Sequence, residues 1–370
     1  MKIPGFSSLE EIESLFEVAF ENKNKLRKVI KKHPMFISSY YANLIDWDNP
    51  EDPLKKMVFP SVDELNVSGS YDTSGEKENT VLTGLQHKYK ETALLLVTNR
   101  CAGYCRHCFR KRMVGIPTEE TVKIFDMALD YIKEHKEITN VLISGGDPLT
   151  LPTQVIDYFL EELKKVPHLK FIRIGSRIPV FYPARIYEDG RLLSIFEKFS
   201  KEKALYVVTH FNHQKEVTRE AAEAIKALTR SGVVVSNQTV LLKGVNDSPE
   251  VLSSLMKSIV SISVFPYYVF QCRPVKRVKS HFQVPLKTGY EIVEKAKQRL
   301  DGFGKRFKYV MSHKTGKIEI VGIIGKEIYL KYHQAKDYRK VGKLFKRILT
   351  PNAGWLDDLK RPEKEREFAF

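Results

Sequence analysis

The chain has 370 residues, 42% of them hydrophobic, enough to bury one large core with smaller flanking elements. No apolar run reaches the length of a membrane span, and the start, Met1-Lys-Ile-Pro-Gly, lacks the apolar stretch of a secretory signal; the expectation is a cytoplasmic protein whose four cysteines stay reduced. A formal charge of +16 attracts polyanions, but Lys and Arg are spread along the chain and are densest over residues 331–347, so a solvated basic surface is expected rather than a nucleic-acid site.

Residues 7–10 read as a capping box, and Leu9, Ile12, Leu15, Phe16, Ala19 and Phe20 recur at helical spacing, which predicts an amphipathic N-terminal helix. From Pro34 to Gly84 the pattern is irregular, broken by Pro50, Pro53 and Pro60 and by a polar run over residues 68–79. This stretch is expected to be an arm that wraps the core or a neighbouring subunit. Short apolar runs then alternate with amphipathic stretches. Strands are predicted at 94–98, 140–144, 171–175, 205–209, 233–241 and 263–270, and helices at 119–133, 152–165, 192–199, 216–230 and 249–259. Such β/α repeats argue for a parallel sheet with helices on its outer face, either doubly wound or a partial barrel. The unusual polar motifs gather just past the strands' C-terminal ends, where barrels place their chemistry. The expected fold is therefore α/β: a partial (β/α)6 barrel over residues 91–275, with an N-terminal helical arm over 1–90 and a C-terminal extension over 276–370.

Cys101, Cys105 and Cys108 follow the first of these strands in a Cys-x3-Cys-x2-Cys spacing. Three thiolates this close can wrap one 4Fe-4S cluster and leave one iron without a protein ligand. The competing reading is a closed zinc site completed by His107, but zinc prefers paired ligands with a spacer, and the remaining cysteine, Cys272, stands far along the chain. The spacing resembles the signature of radical S-adenosylmethionine (SAM) enzymes.

Gly145, Gly146 and Asp147 follow the second strand and offer unobstructed backbone groups and a carboxylate, which suits the ammonium of SAM as well as a plain turn. Ser176, His210 and Gln238 add hydrogen-bonding groups at other strands. Arg110, Lys111 and Arg112 follow the cysteines; Arg110 is the candidate for a substrate carboxylate, and the other two are expected to face solvent or neutralise the cluster. Lys314 and Lys317 lie on a predicted short turn before an apolar run over 318–324, and either could form a Schiff base with pyridoxal phosphate (PLP), although most lysines are only solvated. Cys272 is expected to be a small buried thiol.

Beyond the cysteines, residues 40–46, 142–147, 172–177, 209–213, 237–247 and 266–272 resemble the lysine 2,3-aminomutase (KamA) family of radical SAM enzymes. The resemblance spans 34–322. It implies an isomerase with a 4Fe-4S cluster, SAM and PLP, in which a 5′-deoxyadenosyl radical starts migration of an amino group between Cα and Cβ of a PLP-bound amino acid. It further implies iron ligation by Cys101, Cys105 and Cys108; SAM contacts from Gly145, Gly146, Asp147, His210 and Gln238; a substrate carboxylate on Arg110; and PLP on Lys317. Lys88 and Tyr89 resemble the PLP-phosphate segment, where Thr92 stands in place of a family arginine. The two aspartates that clamp a lysine side chain in the family are absent: Arg273 stands at one place and Ser312 near the other. A cation facing Lys⁺ at short range is repulsive by roughly several kcal/mol at intermediate dielectric, so the expected substrate is an amino acid with a distal negative or neutral group, glutamate being the simplest, with Arg273 as a binding residue. Expected partners are that amino acid, a reductant such as a flavodoxin or ferredoxin, and further copies of the chain, with nucleic acid and membrane not expected. Two alternatives remain: modification of a lysine on a translation factor, and a noncatalytic nucleic-acid-binding protein with a structural cluster.

Overall fold

The structure, a computed structural model, describes residues 2–362; Met1 and residues 363–370, the outer ends of the first and third expected regions, lie outside the described residues. Among the described residues twelve strands form one sheet, each hydrogen-bonded to its neighbours in chain order. They are β1 (Thr80–Leu82), β2 (Leu85–Tyr89), β3 (Thr92–Thr98), β4 (Asn140–Gly145), β5 (Phe171–Gly175), β6 (Ala204–Thr209), β7 (Val234–Leu241), β8 (Phe265–Gln271), β9 (Lys308–His313), β10 (Gly316–Ile324), β11 (Glu327–Ala335) and β12 (Leu344–Ile348). From β3 to β9 all pairings are parallel, and the outer pairings are antiparallel.

The six predicted strands are therefore present within a residue or two, and β9 adds a parallel strand that the sequence reading did not separate from the turn after it. The crossovers carry α1 (Phe125–Glu134), α2 (Thr153–Lys164), α3 (Gly190–Ser200), α4 (Arg219–Arg230), α5 (Pro249–Ser261) and α6 (Leu286–Gln298). Period-two alternation divides the sheet's faces. Val141, Ile143, Ile172, Ile174, Leu205, Val207 and Val235 belong to the apolar core with Leu129, Ile132, Ile156, Leu160, Leu163, Phe196, Ile225 and Leu228 of the helices. Their neighbours Leu142, Ser144, Arg173, Gly175, Gln238 and Val240 line a cavity on the other face.

Curvature closes that cavity. Strands lie about 4.8 Å apart, so β2 and β9, separated by seven steps, would sit about 33 Å apart in a flat sheet. Instead Lys88 of β2 donates from Nζ to the His313 carbonyl of β9 at 2.6 Å. The sheet is a partial (β/α)6 barrel whose gap is narrowed from both edges. Its C-terminal hairpins continue the same sheet, and the basic stretch 331–347 lies on β11, β12 and the turn between them.

Two helix predictions need correction. The N-terminal helix spans Leu9–Phe16 and is capped by Ser8 with Glu11, one residue later than expected; Phe20 packs instead on Phe59 at 4.4 Å. The segment 119–124 is not helical. Val122 donates from its backbone to the Leu96 carbonyl of β3 at 2.7 Å, so a hydrogen bond to the sheet stands where the helical pattern would have begun.

The arm over 34–79 packs on the barrel mouth through buried charge. Ser61 and Glu64 form a capping box, and Glu64, fully buried, takes Arg106 on both carboxylate oxygens at 2.8 and 2.7 Å and Lys111 at 2.6 Å. Arg106 also donates to the Pro34 carbonyl at 3.0 Å. Against the cost of burial, the two cations hold the Glu64 carboxyl down at about 2. A carboxyl depressed in the folded state stabilises the protein above its unfolded value near 4.5 and loses that contribution as pH falls through about 2. Glu64→Gln leaves two buried cations under-compensated and is expected to lower unfolding free energy by about 3–5 kcal/mol in denaturant titration; a loss below about 1 kcal/mol would contradict this role.

Candidate functional site

The cysteine loop has no regular structure, so its backbone groups find partners in neighbouring segments. Tyr104 donates to Phe36 at 2.8 Å, Arg106 to Met57 at 2.7 Å and Gly115 to Asn99 at 2.9 Å. Gly103 lies where a Cβ would meet the Phe181 ring at 2.9 Å, which keeps the loop tight on the short helix after β5. Arg112, expected to face solvent or help neutralise the cluster, pairs instead with Glu76 at 2.6 Å and with Glu120; Lys111 is buried on Glu64, and its charge also favours the Cys108 thiolate.

Cys101, Cys105 and Cys108 carry no disulfide and line the same cavity. Burial and the neighbouring sulfurs push the Cys108 thiol up to about 11 and the Cys101 thiol well above its usual range. Arg177 donates from Nη1 to the Cys105 sulfur at 2.8 Å, the contact a thiolate needs. Thiolates around a single zinc would lie about 3.8 Å apart. Among the described residues, the His/Cys/Asp/Glu group whose ligand atoms all fall within 4.8 Å of one another is His87, His135 and Glu137, not the cysteines. At least one pair of the three sulfurs therefore lies farther apart than the ligands of a single zinc stand. His107 is half-buried beside Phe282 and also lines the cavity.

Gly145 and Gly146 press on this loop. A Cβ on either would sit 2.3 Å from the Thr98 or Arg100 carbonyl, and Gly145 has φ of 120°. The N–H groups of Gly146 and Asp147 donate to the Thr98 and Arg100 carbonyls at 2.6 and 2.7 Å and so fasten the β4 loop to the segment that leads into the cysteines. Asp147 is likewise a hub. Its oxygens accept from Leu149 N, Ser176 Oγ and Arg177 N at 3.1, 2.7 and 2.7 Å, tying the β4 loop to the β5 loop. Burial pushes its carboxyl up to about 6 against the pull of these donors. Ser176 Oγ in turn accepts from Ile178 N. Both residues line the cavity, with their polar atoms engaged in holding its shape.

His210 sits with Nδ1 3.1 Å from the Gln238 carbonyl; a carbonyl only accepts, so Nδ1 carries the hydrogen and Nε2 the lone pair. Burial, reinforced by Arg177, holds the ring neutral, down at about 4. Both His210 and Gln238 face the cavity. Glu216, buried, joins Arg177 Nη2 at 2.6 Å to the arm's Tyr41 hydroxyl at 2.7 Å.

Lys317 separates clearly from Lys314. Lys317 is buried in β10 rather than in a turn, paired with Ser312 of β9, and its Nζ lies 4.1 Å from the Tyr268 ring centre. Burial, with Arg173, Arg273 and Lys88 adding repulsion, pushes its ammonium down to about 7. Lys314 is exposed. Lys88 donates to the Ser74 and His313 carbonyls and is likewise pushed down to about 7, chiefly by burial. Tyr89 lines the cavity beside it, and burial raises its phenol.

Arg110 is not free: it donates to Glu76 at 3.2 Å, to Ser144 Oγ at 3.1 Å and to the Gly145 carbonyl at 3.3 Å. Arg273 lies flat over the Phe109 ring at 4.0 Å and donates to Ser74 Oγ at 2.8 Å; burial pushes it down to about 10. Cys272 is buried, as expected. The sequence reading did not assign roles to Glu76 and Arg173, both of which face the cavity. Glu76 falls in a patternless polar run. Arg173 was legible as a cation at an inward position of a strand; it donates to Asn140 Oδ1 at 2.6 Å, and its Nε has no partner.

Residues 95–255 match the model of the Radical SAM superfamily. A relative from Aquifex aeolicus (strain VF5), provisionally named L-lysine 2,3-aminomutase, is 42% identical over 352 residues, 94% of this chain and 93% of its own length. The L-lysine 2,3-aminomutase of Clostridium subterminale is 35% identical over 80% of this chain and 70% of its own. The glutamate 2,3-aminomutase of Clostridioides difficile (strain 630) is 34% identical over 78% of this chain and 67% of its own. With the cysteine loop, the curled parallel sheet and the buried lysine all on one cavity, and with relatives this similar over most of its length, the chain belongs to the lysine 2,3-aminomutase family of radical SAM enzymes, which are isomerases.

Proposed function

We propose that this protein is an amino-acid 2,3-aminomutase using a 4Fe-4S cluster, SAM and PLP, and that its substrate is a dicarboxylic amino acid such as glutamate rather than free lysine. The observation that carries the reading is a single cavity lined by three cysteines and by a buried lysine, Lys317, whose amine is pushed down to about 7. Bound there, the cluster with SAM supplies one-electron chemistry that opens an unactivated C–H bond, and PLP supplies an aldehyde for the substrate's amine.

Cys101, Cys105 and Cys108 hold the iron on this reading, and Arg177 offsets thiolate charge at Cys105. Gly145, Gly146, His210 and Gln238 form the SAM wall; Asp147 and Ser176 act by fixing the two loops they join. Near neutral pH a large share of Lys317 is unprotonated, so its lone pair is available to an aldehyde without an added base. Lys88 and Tyr89 face the phosphate. Where the family places a further arginine, Thr92 instead contacts Asn140, and Arg173, with an unpartnered Nε, supplies the second cation.

Charge selects the substrate. Glu76 is shared by Arg110 and Arg112 and stands near Arg273, so positive charge is left over beside the cavity. A second carboxylate on the substrate would meet Arg273, whereas a distal ammonium would meet repulsion.

Borohydride reduction of the PLP-loaded protein, followed by peptide mapping, is expected to label Lys317 and to leave Lys314 unlabelled. The labelled fraction should rise with pH around a midpoint near 7 rather than near the ordinary lysine value of 10.5, because the amine is neutral above its lowered value. Label on Lys314 would overturn the assignment. Arg273→Met is expected to lower kcat/KM for glutamate by at least about 30-fold, the scale of a lost buried charge contact, while activity on lysine does not fall. An equal loss on both amino acids would sink the substrate assignment and leave the aminomutase reading standing.

A further inference from the structure

His87, on β2 and next to Lys88, lies in a cluster outside the catalytic cavity. His135 directly follows α1, and Glu137 stands two residues on; one ligand atom from each of the three lies within 4.8 Å of the others. Glu137 Oε1 is 2.8 Å from His135 Nδ1, and the two imidazole rings meet edge to face at 5.6 Å. The Tyr131 ring stacks on His135 at 3.9 Å, which fixes the plane of that imidazole.

The tautomer of His87 is set by its surroundings. Nε2 is 3.0 Å from the Lys90 carbonyl, which only accepts, so Nε2 carries the hydrogen. Its Nδ1 therefore presents a lone pair, 3.0 Å from the Tyr131 hydroxyl. A ring hydrogen given to a backbone carbonyl is the arrangement that orients metal-binding histidines, and an ion at Nδ1 would take the place of the Tyr131 hydroxyl. The three side chains are half-buried, and those of His135 and Glu137 are each 36% exposed, so an ion can enter from solvent.

Ligand atoms at zinc's usual bond lengths lie about 3.4 Å apart around a tetrahedral ion. His135 Nδ1 and Glu137 Oε1 stand closer than that, so binding would exchange their hydrogen bond, and that between Tyr131 and His87, for bonds to the ion. Two imidazoles and a carboxylate suit Zn²⁺ and its borderline neighbours over Mg²⁺ or Ca²⁺, which seek oxygen.

We propose that His87, His135 and Glu137 form a binding site for Zn²⁺ or a similar divalent transition cation, with a fourth position open to water, tying β2 to the end of α1. The ion would sit on the outer face of the strand whose inner face carries Lys88, and would brace that strand from behind.

The test uses the full chain, anaerobic and cluster-loaded so that the three cluster cysteines are occupied. ZnCl₂ is titrated by calorimetry, and metal content is measured after desalting, for the wild type, His135→Ala and Glu137→Gln. Both altered residues are partly exposed and outside the cavity. The wild type is expected to retain one more zinc per chain than either variant, with affinity at least about tenfold tighter, and X-ray absorption should show nitrogen and oxygen neighbours. Absence of binding, identical binding by the variants, or zinc surrounded by sulfur would each overturn the site.

Discussion

A single long-range contact shows what the rest of the molecule depends on: Lys88 on β2 reaching the carbonyl of His313 on β9. Seven strand spacings separate these residues along the sheet, so they meet only because right-handed twist and coil bend it round on itself. Without that curvature the cysteines after β3 and the lysine on β10 would face different regions of solvent. With it, both border one cavity, together with side chains from almost every intervening strand. The antiparallel hairpins at each edge are therefore part of the site's construction, and the short β1–β2 hairpin matters as much as the parallel core.

Electrostatics gives that cavity its character. Lys88, Arg110, Arg173, Arg177, Arg273 and Lys317 line it, against the carboxylates of Glu76 and Asp147. Asp147 is saturated by hydrogen-bond donors, and Glu76 is divided among guanidinium groups. Burying so many cations is costly, and the cost appears as lowered values for Lys88, Lys317 and Arg273. Anionic ligands relieve it. On the proposed reading, affinity for phosphate and carboxylate groups and the reactivity of Lys317 would share this one physical cause.

Much of this was legible in the chain. Alternating apolar runs located the strands, because inward and outward faces impose period two, and the cysteine spacing marked a loop that does border the cavity. Lys317 is less obvious: Gly316 begins a strand rather than ending a turn, and only the pairing with β9 shows that the side chain points inward. Glu76 carries no periodic signal, and its importance comes from cations contributed by residues 110, 112 and 273. The segment 119–124 has a helical pattern yet is not helical, and its Val122 N–H bonds to Leu96 of β3 instead, tertiary context outweighing local propensity. Gly145, Gly146 and Asp147 were read as ligand-binding groups; the structure adds that two of their N–H groups and the Asp147 carboxylate tie neighbouring loops together, which the spacing did not reveal.

The central claim is that this cavity performs radical rearrangement on a dicarboxylic amino acid. Its most direct test is anaerobic incubation of the reduced, PLP-loaded protein with SAM and either glutamate or lysine deuterated at C3. Deuterium should pass into the 5′ carbon of the nucleoside from glutamate, with β-glutamate accumulating, and far more slowly from lysine. Transfer from lysine at the greater rate, or from neither amino acid, would contradict the account.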